Sequence, residues 1–119
     1  MSLFEELKDL GVNVDEGLER VMDDAPLYEM MLGMLIDSVN GNPIELADFD
    51  ADNVDTLTER VHALKGLTGN LAMTPLFTGY VQMLELLRGG RPKEAGKEYE
   101  RVLPAQNEIM DCIKRHMST

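Results

Sequence analysis

The stretch that decides the fold runs Val54-Asp55-Thr56-Leu57-Thr58-Glu59-Arg60-Val61-His62-Ala63-Leu64-Lys65-Gly66-Leu67-Thr68-Gly69-Asn70-Leu71-Ala72. Leu57, Val61, Leu64, Thr68 and Leu71 recur at alternating steps of four and three. That spacing predicts a helix over 54–72 with a single buried stripe. On a wheel of about 100° per residue, His62 sits about 140° from the centre of the stripe. Gly66 and Gly69 lie within about 40° of His62, and Lys65 about 60° to one side. Arg60 falls near the flank of the core, so its stem has to extend along the surface. Each glycine inside a helix costs about 1 kcal/mol relative to alanine. Two in one turn therefore ask for a reason. One reason is close packing against another helix. The other is clearance for a docking surface and a phosphoryl group, and both glycines point with His62, away from the stripe. Taken alone, the sequence leaves both readings open.

The flanking sequence repeats the helical punctuation. Ser2 with Glu5 fits a capping box for a short helix that ends near Gly11. Asp15 is the expected cap of a second short helix running through Met22. Asp24 and Pro26 open a third, to about Val39, with Tyr28, Met31, Leu35 and Val39 at helical spacing and Leu32 and Met34 beside them. Gly41-Asn42-Pro43 stops it. Residues 44 to 52 are acidic and ambiguous, and Asp52 or Asn53 is the expected cap of the next helix. Thr74-Pro75 reads as a restart, with Thr74 as cap, and that helix ends at Gly89-Gly90. Pro92 opens the last one, to about Arg115, and Pro104 inside it predicts a kink. The simplest way to bury four long apolar stripes is an all-α, antiparallel four-helix bundle capped by the two short N-terminal helices. A single domain over 1–119 follows, with short helices in 2–22 and the bundle over about 25–116.

Composition narrows the partners. The chain has 119 residues, 44% of them hydrophobic, which fits one globular domain with a modest core. A formal charge of -11 repels phosphate backbones and anionic lipid and suits a partner with a basic rim. No apolar run approaches the length of a spanning helix. Met1-Ser2-Leu3-Phe4-Glu5-Glu6 lacks the basic start and apolar stretch of a signal peptide. Cys112 stands alone, so neither an intrachain disulfide nor a thiolate metal site within the chain is expected, and no metal is expected to be bound. A cytoplasmic setting is expected. The nine methionines read as core filler in a small bundle.

The His62 face carries the chemistry. Histidine titrates near neutrality, so an exposed imidazole is substantially available as a nucleophile toward phosphorus. Lys65, one turn on, attracts phosphate oxygens as a point charge. Asp55 and Glu59 lie near His62 on the wheel, but one histidine and two surface carboxylates make a weak metal site, so no metal is expected there. His116 ends the run Lys114-Arg115-His116, where cations favour a helix terminus, and reads as a solvated capping residue.

Here the segment resembles the histidine-containing phosphotransfer (HPt) domain, whose signature is His-x-x-Lys-Gly followed by small residues. His62, Leu64, Lys65, Gly66, Asn70 and Leu71 match it as they stand. Val14-Asp15-Glu16-Gly17-Leu18-Glu19-Arg20, then Asp24, Leu27 and Tyr28, is similar to the family's entry into its bundle. The resemblance covers roughly residues 12 to 115. It implies a four-helix bundle that shuttles phosphoryl groups between receiver aspartates in a two-component phosphorelay. His62 is then the phosphoacceptor, Lys65 the stabilising cation, and Gly66 and Gly69 give steric access. The implied partners are a response-regulator receiver, a hybrid sensor histidine kinase, or both. The only implied cofactor is Mg²⁺, brought by the receiver. The chain is then a monomeric carrier and no enzyme by itself, having no Gly-rich phosphate loop. Leu67 and Ala72 depart from the family, which often has a small hydroxyl residue and a glycine there, and both departures are expected to bear on partner choice.

Two other classes remain in play. The same bundle would serve as a docking module without transfer, using the methionines and the rim of Asp52, Asp55 and Glu59. Asp37-Ser38-Val39 resembles the Asp-Ser-Leu of acyl carrier proteins, but there the serine begins a helix, whereas Ser38 falls near the end of one.

Overall fold

The computed structural model describes residues 1–50 and 54–117. Every regular element among them is helical: α1 (Leu3–Asp9), α2 (Val14–Arg20), α3 (Ala25–Gly41), a 3₁₀ helix (Leu46–Asp50), α4 (Asp55–Asn70), α5 (Thr74–Arg88) and α6 (Pro92–Met117). None of these helices is long and apolar enough to cross a membrane.

The helix starts follow local hydrogen bonding. Ser2 accepts from the Glu5 amide at 3.2 Å, and the Glu5 carboxylate reaches back to the Ser2 amide at 3.4 Å, completing the capping box. Asp24 caps α3 by accepting from Leu27 N at 3.0 Å. The cap of α2 is Asn13, not Asp15: Asn13 Oδ1 accepts from Glu16 N at 3.1 Å. Asp15 instead lies in the first turn, 3.2 Å from Lys8 Nζ. The expected caps Asp52 and Asn53 lie outside the described residues; Val54 stands at the cap of α4 without a side-chain hydrogen bond.

The α4–α5 connection corrects the placement of Thr74. Met73 is the cap, and Thr74 is the first helical residue. The reason is how α4 ends. Met73 N donates to Thr68 O at 2.9 Å and Ala72 N to Gly69 O at 3.1 Å, with Ala72 at φ 57°. This is a Schellman turn with alanine in the left-handed position that glycine usually takes. Met73 is fully buried, so the turn is anchored from inside and Thr74 is left exposed. α6 runs on past Arg115 to Met117 as one helical element through Pro104. Pro104 and Glu100, four residues earlier, are both exposed, so the hydrogen bond that Pro104 removes lies on the wet side.

The elements bury their stripes on one another. α5 packs against both α4 and α6, α3 against α4 and α6, and α1 against α6 and α2. Tyr28, Leu32 and Leu35 of α3 meet Leu57, Val61 and Leu64 of α4, together with Leu76, Tyr80, Met83 and Leu84 of α5, in one core. The 3₁₀ helix contributes Phe49, stacked at a tilt on Tyr99 of α6 with ring centroids 5.6 Å apart. Methionine as core filler holds for the buried Met73, Met83 and Met110, and for Met31, which is partly buried against the core. Met1, Met22, Met30, Met34 and Met117 are exposed, which also removes Met34 from the buried side of α3. Helical spacing put Met34 beside the stripe, but α3 turns it outward.

The core holds three tyrosines by their hydroxyls. Tyr28 donates to Leu71 O at 2.9 Å, Tyr99 to Ile44 O at 3.1 Å, and Tyr80 to the Gln106 side-chain carbonyl. Among the described residues no buried side-chain nitrogen or oxygen lacks a partner. Burial pushes the Tyr28 phenol up from its ordinary value near 10 to about 12, and the Tyr80 phenol higher still. A folded-state pKa above the unfolded value means the stabilising contribution is complete below pH 10 and is lost as pH rises through about 12. Loss of helical circular dichroism should therefore coincide with tyrosinate absorbance in that alkaline window. Tyrosine ionisation near pH 10 with the helices intact would contradict this account of the core.

Candidate functional site

α4 presents His62 as the wheel requires. Leu57, Val61, Leu64 and Thr68 are buried, and His62, Ala63 and Gly66 are exposed on the other side. Thr68 keeps its place in the stripe because its hydroxyl donates to Leu64 O at 2.7 Å, so no bare polar group enters the core. Arg60 does extend its stem along the surface, and its Nη1 comes within 3.5 Å of Pro43 O. Among the described residues His62 has no hydrogen bond or ion pair, and Lys65, half-buried, has no carboxylate partner. Imidazole and ammonium are therefore both uncommitted. Asp55 and Glu59 are exposed at the N-terminal end of the same helix, and Asp52 lies outside the described residues.

The two glycines separate. A Cβ added at Gly66 would meet nothing within 4 Å, so this position is open surface. A Cβ at Gly69 would stand 3.0 Å from the Phe77 ring of α5. The Gly69 carbonyl also accepts from the Arg20 guanidinium of α2. Gly69 is thus a packing glycine, and the expectation that it gives steric access is corrected: the turn at Ala72 brings α5 back over that part of α4. Ala72 belongs to that turn. It is 6% exposed and fixes the turn, so it offers a partner almost nothing to touch. Leu67 is half-buried and packs against the core, which accommodates its bulk.

A cleft of about 290 Å³ opens beside this face between α3 and α4, lined by Ser38, Asn42, Thr56, Glu59, Arg60, Ala63 and Leu64. Ser38 sits in the last turn of α3, which runs to Gly41, and so lacks the helix-start position of a prosthetic-group serine.

The second histidine departs from expectation. His116 is no free end residue: it is half-buried, with Nε2 3.1 Å from Glu6 Oε1. Arg115 forks onto the same carboxylate at 2.7 and 3.2 Å. The cause is the docking of α1 on the end of α6. The Arg115 guanidinium, then His116 and the Cys112 thiol, hold the Glu6 carboxyl down at about 2. Burial, reinforced by Glu6, pushes the Cys112 thiol up to about 11. No family model, curated protein or solved structure matches the chain.

Proposed function

We propose that this chain is a histidine phosphocarrier of the phosphotransfer-domain type. In this reading His62 accepts a phosphoryl group from a receiver aspartate, and α3 to α6 act as an antiparallel four-helix bundle that holds α4 rigid. The observation that carries the proposal is one exposed face with an uncommitted imidazole, an unpaired ammonium one turn on, and an open backbone position at Gly66. The packing of α5 between α4 and α6, with α3 against both of the latter, supports the bundle. The resemblance of His62, Lys65 and Gly66 to the HPt signature supports the chemistry.

Phosphoryl transfer is mainly positioning and charge neutralisation, so a convex helix face is sufficient. The lone pair of neutral His62 Nε2 attacks phosphorus in line as the bond to the aspartate oxygen breaks. The carboxylate leaves as an anion, and the ring keeps its proton on Nδ1. Lys65 attracts the phosphoryl oxygens, and the absence of a side chain at Gly66 lets the partner's surface approach. The receiver brings its own Mg²⁺, and the basic rim expected of it complements the net charge of -11. Carrier, monomer and cytoplasmic setting belong to the same proposal.

The test is to mix the protein with phosphorylated receivers from the source organism and to measure binding and transfer separately. Acid-labile, base-stable phosphate on this chain is expected, and Lys65→Ala should slow its appearance. Receivers that bind without ever transferring phosphate would make the chain a docking module instead. Gly66→Ala gives a sharper discrimination. With nothing within 4 Å of the new Cβ, the substitution should raise stability by about 1 kcal/mol through helix propensity. It should nevertheless slow transfer, because the methyl stands on the docking face. Faster or unchanged transfer in a stabilised Gly66→Ala would remove the role assigned to this glycine.

A further inference from the structure

We infer that Glu6, Cys112 and His116 form a site for a zinc-type divalent cation that clamps α1 onto the end of α6. The site is independent of His62. One ligand atom from each of the three residues lies within 4.8 Å of the others. Cys112 and His116 are one turn apart on α6, so they project from the same face, and Glu6 closes the triangle from α1. Sulfur, imidazole and carboxylate together are a donor set that suits zinc. This site departs from the expectation that a lone cysteine leaves the chain without a thiolate metal site: its ligands are mixed, and Glu6 is more than a hundred residues from its partners.

The geometry needs little adjustment. Zinc-to-ligand distances of about 2.0–2.3 Å put tetrahedral ligand atoms about 3.3–3.7 Å apart, so atoms at the 4.8 Å limit draw in by about 1–1.5 Å while the His116–Glu6 pair opens slightly. The cation takes the place between His116 Nε2 and Glu6 Oε1, now 3.1 Å apart. Arg115 keeps its 2.7 Å bond to Glu6 Oε2 and orients the carboxylate from outside the coordination sphere. Cys112 binds as thiolate: its S–H bond breaks, the electron pair passes to the metal–sulfur bond, and the proton leaves to solvent. A cleft of about 330 Å³ opens beside the triad, lined by Glu6, Asp9, Leu10, Glu108, Asp111 and Arg115. Glu6 is the ligand it shares with the triad, and its four carboxylates against one guanidinium attract a cation toward that residue.

The experiment uses the full chain, stripped with chelator and titrated with Zn²⁺ alone and with Co²⁺ as a spectroscopic probe. One equivalent should bind, with a thiolate-to-cobalt charge-transfer band. A hundredfold excess of Zn²⁺ over its dissociation constant should raise the thermal midpoint by on the order of 10 °C. Cys112→Ser should abolish the band, and His116→Gln and Glu6→Gln should each weaken binding by about tenfold or more. His62→Gln should bind as the unsubstituted chain does. Absence of the band and of any thermal shift in the unsubstituted chain overturns the site, leaving only a hydrogen-bonded latch. Full affinity in His116→Gln overturns it too. That half-buried position keeps the proposal decidable should Cys112→Ser fail to fold.

Discussion

His62→Gln should accept no phosphoryl group above the blank, a loss of about three orders of magnitude or more in transfer rate, since covalent catalysis has no substitute once its nucleophile is removed. A glutamine amide nitrogen has its lone pair delocalised into the carbonyl, so it keeps polarity and approximate size but cannot attack phosphorus. The fold should not notice. His62 is exposed and makes no hydrogen bond among the described residues. Stability should therefore stay within about 0.5 kcal/mol of the parent. Receiver binding should persist, which separates loss of chemistry from loss of docking. Transfer measured from a labelled receiver, with melting curves alongside, decides the matter. Acid-labile label on His62→Gln would sink the assignment and turn attention to His116, which is already engaged with Glu6.

The largest effect on stability is expected at Gly79. A Cβ there would lie 2.1 Å from Val102 Cγ2, far inside any tolerable contact. Gly79 is the point where α5 approaches α6 without a side chain between them. Val102 is buried and β-branched in a helix, so it has no easy rotamer to retreat into. Alanine brings about 1 kcal/mol of helix propensity, but overpacking of a closed core costs about 1–3 kcal/mol and a clash this close belongs at or beyond the upper end. Gly79→Ala should lose about 2 kcal/mol net, or about 8 °C in thermal midpoint. Val102→Ala removes the obstructing methyl, so the double variant should lose markedly less than the sum of the two singles. A Gly79→Ala protein as stable as its parent would mean that α5 and α6 do not meet at this position. The opposite signs expected for alanine at Gly66 and Gly79 provide an internal control on how each glycine is used.

That contrast shows where the sequence is readable. The stripe of α4 and the outward placement of His62 follow from periodicity alone, because the period of a helix is local information. The Ser2–Glu5 box and the Asp24 cap are local for the same reason. Gly66 and Gly69 fall on one side of the same wheel, yet one faces solvent and the other the Phe77 ring. What distinguishes them is the path of the chain after Ala72, and no wheel contains it. Asn13 and Asp15 are comparable caps by residue type. The choice sets where α2 begins and so the placement of Gly17, where an added Cβ would lie 2.6 Å from the Tyr28 ring and 2.9 Å from Leu71 O. The exposure of Met30 and Met34 was hidden because methionine is at home on either side of a helix. Glu6 gave no sign of its tie to Arg115 and His116, since a reading of neighbouring residues cannot reach across the whole chain.

The tie between α1 and α6 also bears on the order in which the molecule assembles. α4, α5 and α6 follow one another through short turns at Leu71–Met73 and Gly89–Arg91, so their mutual contacts close small loops and form early. The Glu6–Arg115 fork spans 109 positions, and it fastens a helix of only seven residues. Loop-closure entropy places such a contact late in folding and makes it the first to release during native fluctuations. Amide hydrogens of α1 should exchange through local detachment, well before those of α4 or α5, and a cation at the Glu6 end would slow that exchange selectively.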